Sequence, residues 1–393
     1  MQTCVKCEKT AEEVFALIRV KDNDFICSQC IDVMKERIEK SLKSKPHGNI
    51  EVPLAKKIVE NLNQYIIGQH EAKQSLAITV RNHFKRFQLS DDEKKDIQKS
   101  NTLIIGNSGT GKTEIIKRIS EYIDVPMIVV DANRYTAAGY TGDEVESMIK
   151  ALYIKSGKNK LLTEHGIIFI DEIDKKRKDG SQGSQKDLGG EEVQKALLKI
   201  IEGTNIKVEH NVEIDTSNIM FIAGGAFVGL DKIIQHRISN KSIGFFKKSA
   251  TDSIINETTN EDLFKFGLIP EFVGRFPIIT YTNDLTEEEL LIIAKTPKNS
   301  VYNQYIKLFD MDDVKLEIHD DVIKQIVSVV SKDKIGVRGI QKGFDAILKE
   351  HQYNLEDYKE LNIYKIEIYL NKDGSVSTKQ HKRRGKKLEK KSQ

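Results

Sequence analysis

The sequence predicts an α/β fold built on a parallel sheet with flanking helices, followed by a smaller helical domain and preceded by a cysteine-bound module. Three observations carry this. Gly106-Asn107-Ser108-Gly109-Thr110-Gly111-Lys112-Thr113 fits G-x-x-x-x-G-K-[ST], a glycine-rich loop whose amides wrap phosphates while the lysine reaches the β and γ groups. The apolar run Ile167-Ile168-Phe169-Ile170 ends in Asp171-Glu172, the pattern of a strand buried on both faces with carboxylates at its C-terminal edge. Cys4-x-x-Cys7 and Cys27-x-x-Cys30, with 19 residues between the pairs, have the spacing of a closed tetrahedral metal site.

Taken in order, the first 45 residues are too few for a hydrophobic core without a staple. The N-terminus, Met1-Gln2-Thr3-Cys4, has no basic stretch followed by an apolar core, so no secretory signal is expected and a cytosolic, reducing location is. There disulfides are disfavoured, and a redox pair would not need two copies. Cys4, Cys7, Cys27 and Cys30 are therefore expected to hold a structural Zn²⁺, since four thiolates leave no position open for a substrate water. An amphipathic helix is expected through Ile31, Met34 and Ile38, and the polar stretch Ser41 to Asn49 with Pro46 and Gly48 reads as a linker.

Thr102 to Ile105 reads as the buried strand before the phosphate loop and Glu114 to Tyr122 as the helix after it, so a helix N-terminus adds its field for anions. Asn107 to Thr113 with Glu114 form the expected cradle for ATP. Thr113 and Asp171 are the candidates for Mg²⁺, and Glu172 is the candidate base for water near the γ-phosphate. Upstream, Ile66 and Ile67 in Tyr65-Ile66-Ile67-Gly68-Gln69 are core residues by default, although an apolar pair so placed can also pack on an adenine ring.

Met127 to Val130 is a further strand, followed by a loop with Tyr140 between Gly139 and Gly142. Lys175 to Asp187 is basic and lacks apolar residues, hence an expected solvated loop. A helix is expected from Glu191, with Val193, Ala196, Leu197, Ile200 and Ile201 on one face and Gly203 as its stop. Ile219 to Ala223 is another buried strand, and Ser239 to Asn260 is polar with little helix or strand pattern. Glu287 to Lys295, Val322 to Val330 and Gly339 to Asn354 read as amphipathic helices, with Tyr364 to Leu370 a strand.

The chain has 393 residues, 39% hydrophobic and 31% charged, with a net charge of +3. That allows two or three domains, no apolar run approaches the roughly 20 residues of a membrane span, and the small charge does not argue for nucleic acid. From Lys372 to Lys391 nine Lys or Arg face only Asp373 and Glu389, the composition of a disordered tail.

The succession of the cysteine pairs, Ile-Ile-Gly-Gln, GNSGTGKT, AGYTGDEVE, IIFIDEIDK, VQKALLKIIEGT, GGAFVGLDKII, IGF, FGLIPEFVGRFP and GVRGI resembles the ClpX family, zinc-bearing AAA+ protein unfoldases, from Cys4 to about Leu370. The resemblance implies a homo-hexamer that threads unfolded or tagged polypeptides, sometimes brought by adaptors, through a pore into a ClpP-type peptidase. It implies that Tyr140 grips substrate, that Arg275 is an arginine finger offered to the neighbouring subunit, and that Arg338 is a sensor reaching the phosphates of its own subunit. It makes Ile243, Gly244 and Phe245 the peptidase-docking tripeptide. Between Gly203 and Asp215 the chain lacks the longer insertion tied in the family to capture of substrate tags, and no side chain near Ala223 stands out as a first sensor. The expected domains are 1–45 zinc module, 46–60 linker, 61–284 large ATPase domain, 285–371 small domain and 372–393 basic tail. Two rival readings are a nucleic-acid motor, which predicts DNA-stimulated hydrolysis with steep salt dependence, and a chaperone that binds without threading.

Overall fold

A computed structural model describes residues 2–21, 24–35, 53–89, 92–97, 99–136, 143–178, 185–241, 254–333 and 336–383. It divides into two compact units, residues 1–52 with 84–98, and residues 53–83 with 99–393. In the first, strands β1 (Leu17–Lys21) and β2 (Asp24–Cys27) pair antiparallel and residues 28–35 are helical, α1. Cys4 and Cys27 are fully buried, so the cysteines take the place of a hydrophobic core.

The second unit begins with α2 (Ala55–Leu62) and α3 (His70–Arg86). Its main sheet is β3 (Thr102–Ile105), β4 (Met127–Asp131), β5 (Ile167–Asp171), β8 (Met220–Gly225) and β9 (Ile278–Tyr281). The order is β4-β5-β8-β3-β9 and every pairing is parallel. The inner strands are buried throughout, except for partly buried Asp171 at the end of β5, which is why they read as apolar runs. Helices α4 (Lys112–Ile123), α5 (Ser147–Lys155), α6 (Lys160–Glu164), α7 (Gln185–Glu202), α8 (Leu230–Lys241), α9 (Asn260–Phe266) and α10 (Pro270–Gly274) surround it. Between α7 and β8, β6 (Asn205–Glu209) and β7 (Val212–Asp215) form an antiparallel hairpin.

A separate core lies in the C-terminal part, built from α11 (Glu287–Lys295), α12 (Val301–Met311), α13 (Asp320–Lys332), α14 (Val337–Tyr353) and α15 (Leu355–Glu360) around the sheet β10-β11-β12. Those strands are Lys315–Ile318, Ile363–Leu370 and Val376–Lys382. In α13, Val322, Ile323, Ile326, Val327 and Val330 are buried, one apolar stripe at helical spacing. A capping box of Thr286 and Glu289 starts α11 by satisfying orphan amides.

Three expectations are corrected. The basic tail does not begin at Lys372: Val376 to Lys382 pair with β11, and only residues 384–393 fall outside the described chain. Helix α7 starts at Gln185 rather than Glu191, so the expected loop is shorter, and residues 173–176 already form a helical turn. Helix α8 extends to Lys241, into the stretch expected to be irregular, because Ser239, Asn240 and Lys241 add no apolar pattern by which the sequence would mark a helix. Among the described residues no helix is long and apolar enough to cross a membrane.

Candidate functional site

The phosphate loop joins β3 to α4, and its shape is a glycine property. Gly111, the N-cap of α4, has φ 100°, a left-handed conformation open to glycine at little cost. Thr110 closes the loop on itself, with its hydroxyl 2.8 Å from Asn107 O and 2.7 Å from Thr282 Oγ1 beyond β9. Lys112 is buried, and its Nζ donates to Gly106 O at 2.5 Å and Asn107 O at 2.9 Å. Burial lowers its pKa, and the charges of Asp171 and Asp174 oppose that. An ammonium held in this way seeks anionic oxygens.

Asp171 ends β5, one strand from β3, with β8 between them. Its Oδ2 lies 3.3 Å from Thr113 Oγ1 and its Oδ1 accepts the Glu172 amide at 2.9 Å. Glu172 is exposed and left-handed, φ 57°, a strained conformation for a non-glycine residue. Its Oε2 accepts Asn133 Nδ2 at 2.6 Å. Arg338, in the first turn of α14, donates to Ser108 Oγ at 3.2 Å, and Val337 N donates to Gly109 O at 3.3 Å.

Ser108 to Glu114, Asp171, Glu172 and Arg338 line a cavity of about 500 Å³ together with apolar Tyr65, Ile66, Ile67, Leu285, Ile293, Pro297, Val301 and Val337 and polar Asn299, Ser300, Gln304 and Gln341. Asn107 donates to Asp284 at 2.7 Å, and Glu114 accepts from Arg118 at 2.7 Å and Asn299 at 3.0 Å. A phosphate cradle and apolar side chains in one cavity suit the two halves of a nucleotide.

The structure adds residues that sequence reasoning missed. Gln69 exchanges two hydrogen bonds with the Asn283 backbone, at 2.8 and 2.9 Å, fixing the segment that carries Ile66 and Ile67. Asn133 had a legible signal, an Asx turn capped by Asp131 straight after a strand, but its partner lies 39 residues away. Asp174 is buried in the same cavity. Its Oδ2 accepts the Phe227 amide at 3.2 Å, just past the end of β8.

Arg275 is outside the cavity lining; its guanidinium pairs with Glu202 at the end of α7. Tyr140 and Ile243-Gly244-Phe245 lie outside the described residues. The stretch after Gly203 is the β6–β7 hairpin, with Ile206, Val208 and Ile214 buried in the main core.

In the first unit the sulfurs of Cys4, Cys7, Cys27 and Cys30 all lie within 4.8 Å of one another, with Cys7 and Cys27 3.6 Å apart. Tetrahedral Zn–S bonds of about 2.3 Å place sulfurs roughly 3.8 Å apart, so the cluster fits that ion. The amides of Cys27 and Cys30 point at Cys4 Sγ and Cys27 Sγ at 3.3 and 3.4 Å; at Cys4 burial raises the thiol pKa, and backbone hydrogen bonds outweigh it and bring it down to about 6.

A sequence profile of the AAA domain (Cdc48 subfamily) matches residues 97–279. Proteins named ATP-dependent Clp protease ATP-binding subunit ClpX, from Borrelia duttonii and Borrelia recurrentis, are each 36% identical over 400 residues, 96% of this chain and 92% of theirs. The protein of that name from Bacteroides fragilis is 36% identical over 386 residues, 92% of this chain and 93% of its own. The chain belongs to the ClpX family. It is an ATPase, and the cavity between the phosphate loop, β5 and α14 is the candidate nucleotide site.

Proposed function

We propose that the chain is an ATP-dependent protein unfoldase and translocase that works as a homo-hexamer and feeds polypeptides to a ClpP-type peptidase. Lys112 and the amides of residues 107–113 bind the phosphates, Ile66 and Ile67 pack on the adenine, and Arg338 reports the γ-phosphate to α14. Thr113 and Asp171 hold Mg²⁺, which when bound neutralises charge on the phosphate oxygens. Glu172 orients and deprotonates the attacking water. Asn133 restrains Glu172 until substrate or neighbour draws it away. Arg275 completes the neighbouring subunit's site, Tyr140 grips the threaded chain, and Ile243 with Phe245 plug a cleft on the peptidase. Cys4, Cys7, Cys27 and Cys30 hold a structural Zn²⁺.

The observation that carries this reading is the bridging of the phosphate loop by the C-terminal core: Arg338 touches Ser108 and Val337 touches Gly109. Nucleotide state is thereby linked to the angle between two packed cores, the lever that a translocating motor requires. The test is ATP-dependent degradation of a tagged, stably folded reporter with and without the peptidase, comparing the intact chain with an Ile243→Ala, Phe245→Ala protein. Loss of degradation with ATP hydrolysis retained supports the proposal. Hydrolysis stimulated by DNA and not by unfolded protein, or normal unfolding by Tyr140→Ala, overturns it.

A further inference from the structure

The inference concerns Asp174 and rests on the nucleotide-site reading above. Four carboxylates line the cavity, Glu114, Asp171, Glu172 and Asp174. Asp174 is the one that is fully buried, 3% exposed, in the turn Ile173–Lys176 that follows β5. Its two oxygens are in different situations. Oδ2 accepts the Phe227 amide at 3.2 Å and lies 3.7 Å from Lys175 Nζ. Oδ1 is buried with no hydrogen-bond partner among the described residues. An acceptor left in that state loses its hydration with nothing in return, a cost that native proteins rarely leave unmet. Oδ1 packs against Gly225, where an added Cβ would stand 2.3 Å from it.

We propose that Asp174 is a positioning residue for the nucleotide's divalent ion, its free Oδ1 accepting a hydrogen bond from a water in the shell held by Thr113 and Asp171. Mg²⁺ keeps several of its waters and is bound through only one or two protein oxygens. Each retained water has protons to place, and a carboxylate held beside the site through its other oxygen by the Phe227 amide is an acceptor for one once a small side-chain rotation presents Oδ1. Thr113, Asp171 and Asp174 all border the one cavity, and Lys112 feels the charge of both aspartates. The competing account gives Asp174 a packing role alone, in which Oδ2 caps the turn at Phe227 and Oδ1 is idle.

Asp174→Asn separates the two. The amide oxygen still accepts from Phe227, but an NH₂ donor replaces the free acceptor. The full chain is titrated with a fluorescent, non-hydrolysable ATP analogue, first in EDTA and then at rising free Mg²⁺. Affinity in EDTA should stay within about twofold of the parent, while the Mg²⁺ concentration for half-maximal tightening rises roughly 10–100-fold, the usual cost of losing an outer-shell partner. Gly225→Ala, which crowds Oδ1 and leaves every carboxylate in place, should shift the midpoint in the same direction and serves if Asp174→Asn is poorly folded. A Mg²⁺ midpoint unchanged in the folded variants overturns the proposal. Asp171→Asn is the control for the underlying reading: it should abolish the Mg²⁺ response, and if it does not, the metal assignment of Thr113 and Asp171 fails, whatever Asp174 does.

Discussion

Gly336 is where the C-terminal core meets the phosphate loop, and replacing it with alanine should uncouple the two. Its backbone has φ 68° and ψ −155°, a region populated almost only by glycine, so a side chain there costs roughly 1–3 kcal/mol. The new Cβ would also stand 2.9 Å from Gly109 O and 3.1 Å from Gly109 C and Cα. All three are backbone atoms of the cradle itself, so relief comes only by moving α14 away from the loop, taking Arg338 from Ser108. If the whole strain falls on the docked arrangement, 1–3 kcal/mol corresponds to about 5–150-fold weaker nucleotide binding. The assay is titration of the fluorescent ATP analogue, with steady-state hydrolysis alongside. Gly374→Ala is the matched control: φ is 82° but no atom lies within 4 Å of its Cβ position. It should lower thermal stability slightly and leave affinity unchanged. Parent-like affinity in Gly336→Ala would refute the claim that this contact couples the cores.

Three further outcomes are expected. Glu172→Gln should reduce hydrolysis by about 10²–10⁴-fold with nucleotide binding kept, read by phosphate release against analogue titration. Elemental analysis should give one zinc per chain for the parent and none for Cys7→Ser, whose first unit should unfold because structural zinc supplies roughly 10–16 kcal/mol to such modules; hydrolysis should persist. Burial lowers the pKa of His351 from 6.5, with Glu350 opposing, while its ring nitrogens contact Tyr358 OH at 2.8 Å and Thr378 Oγ1 at 2.9 Å. The folded state therefore resists a proton that the unfolded chain accepts, so stability contributed by neutral His351 is intact above pH 6.5 and falls as pH drops below it. His351→Gln should have a lower melting temperature at pH 7.5 but a flatter decline between pH 7 and 5.

What was legible in the sequence was local. The phosphate loop, the β5 carboxylates and the cysteine pairs each sit within a few residues, where spacing and periodicity speak directly. What was not legible depends on long-range pairing. Gln69 and Asn283 are 214 residues apart, and Thr110 and Thr282 are 172 apart. Strand β12, Val376–Lys382, is mostly polar, and takes its strand state from backbone pairing with β11 and from the Thr378–His351 contact. The β6–β7 hairpin did carry a signal. Ile206 and Val208 alternate with polar residues and are buried, a period of two that is weak over only five residues.

The position of Arg275 constrains how hydrolysis can be completed. Its carbonyl accepts Asn101 Nδ2 at 3.1 Å, and Asn101 Oδ1 in turn accepts the amide of Phe221 at 3.1 Å, near the start of β8. Asn101 immediately precedes β3, so the Arg275 backbone is tied to the N-terminal edge of the parallel sheet, whereas the phosphate loop and Asp171 occupy the opposite edge. Four residues of β3 separate these edges by about 13 Å at roughly 3.3 Å per residue, before the loop itself is crossed. An arginine side chain spans about half that, so rotating it cannot bring the guanidinium to its own nucleotide. Its present partner holds it lightly, since both Arg275 and Glu202 are about half exposed and exposed pairs contribute at most about 1 kcal/mol. A triphosphate on an adjoining copy offers far more charge than one carboxylate. The fold thus supports Arg275 as a residue spent on another subunit, and predicts that Glu202→Gln, which frees the guanidinium, leaves hydrolysis intact or raises it, while Arg275→Ala suppresses it even with nucleotide bound.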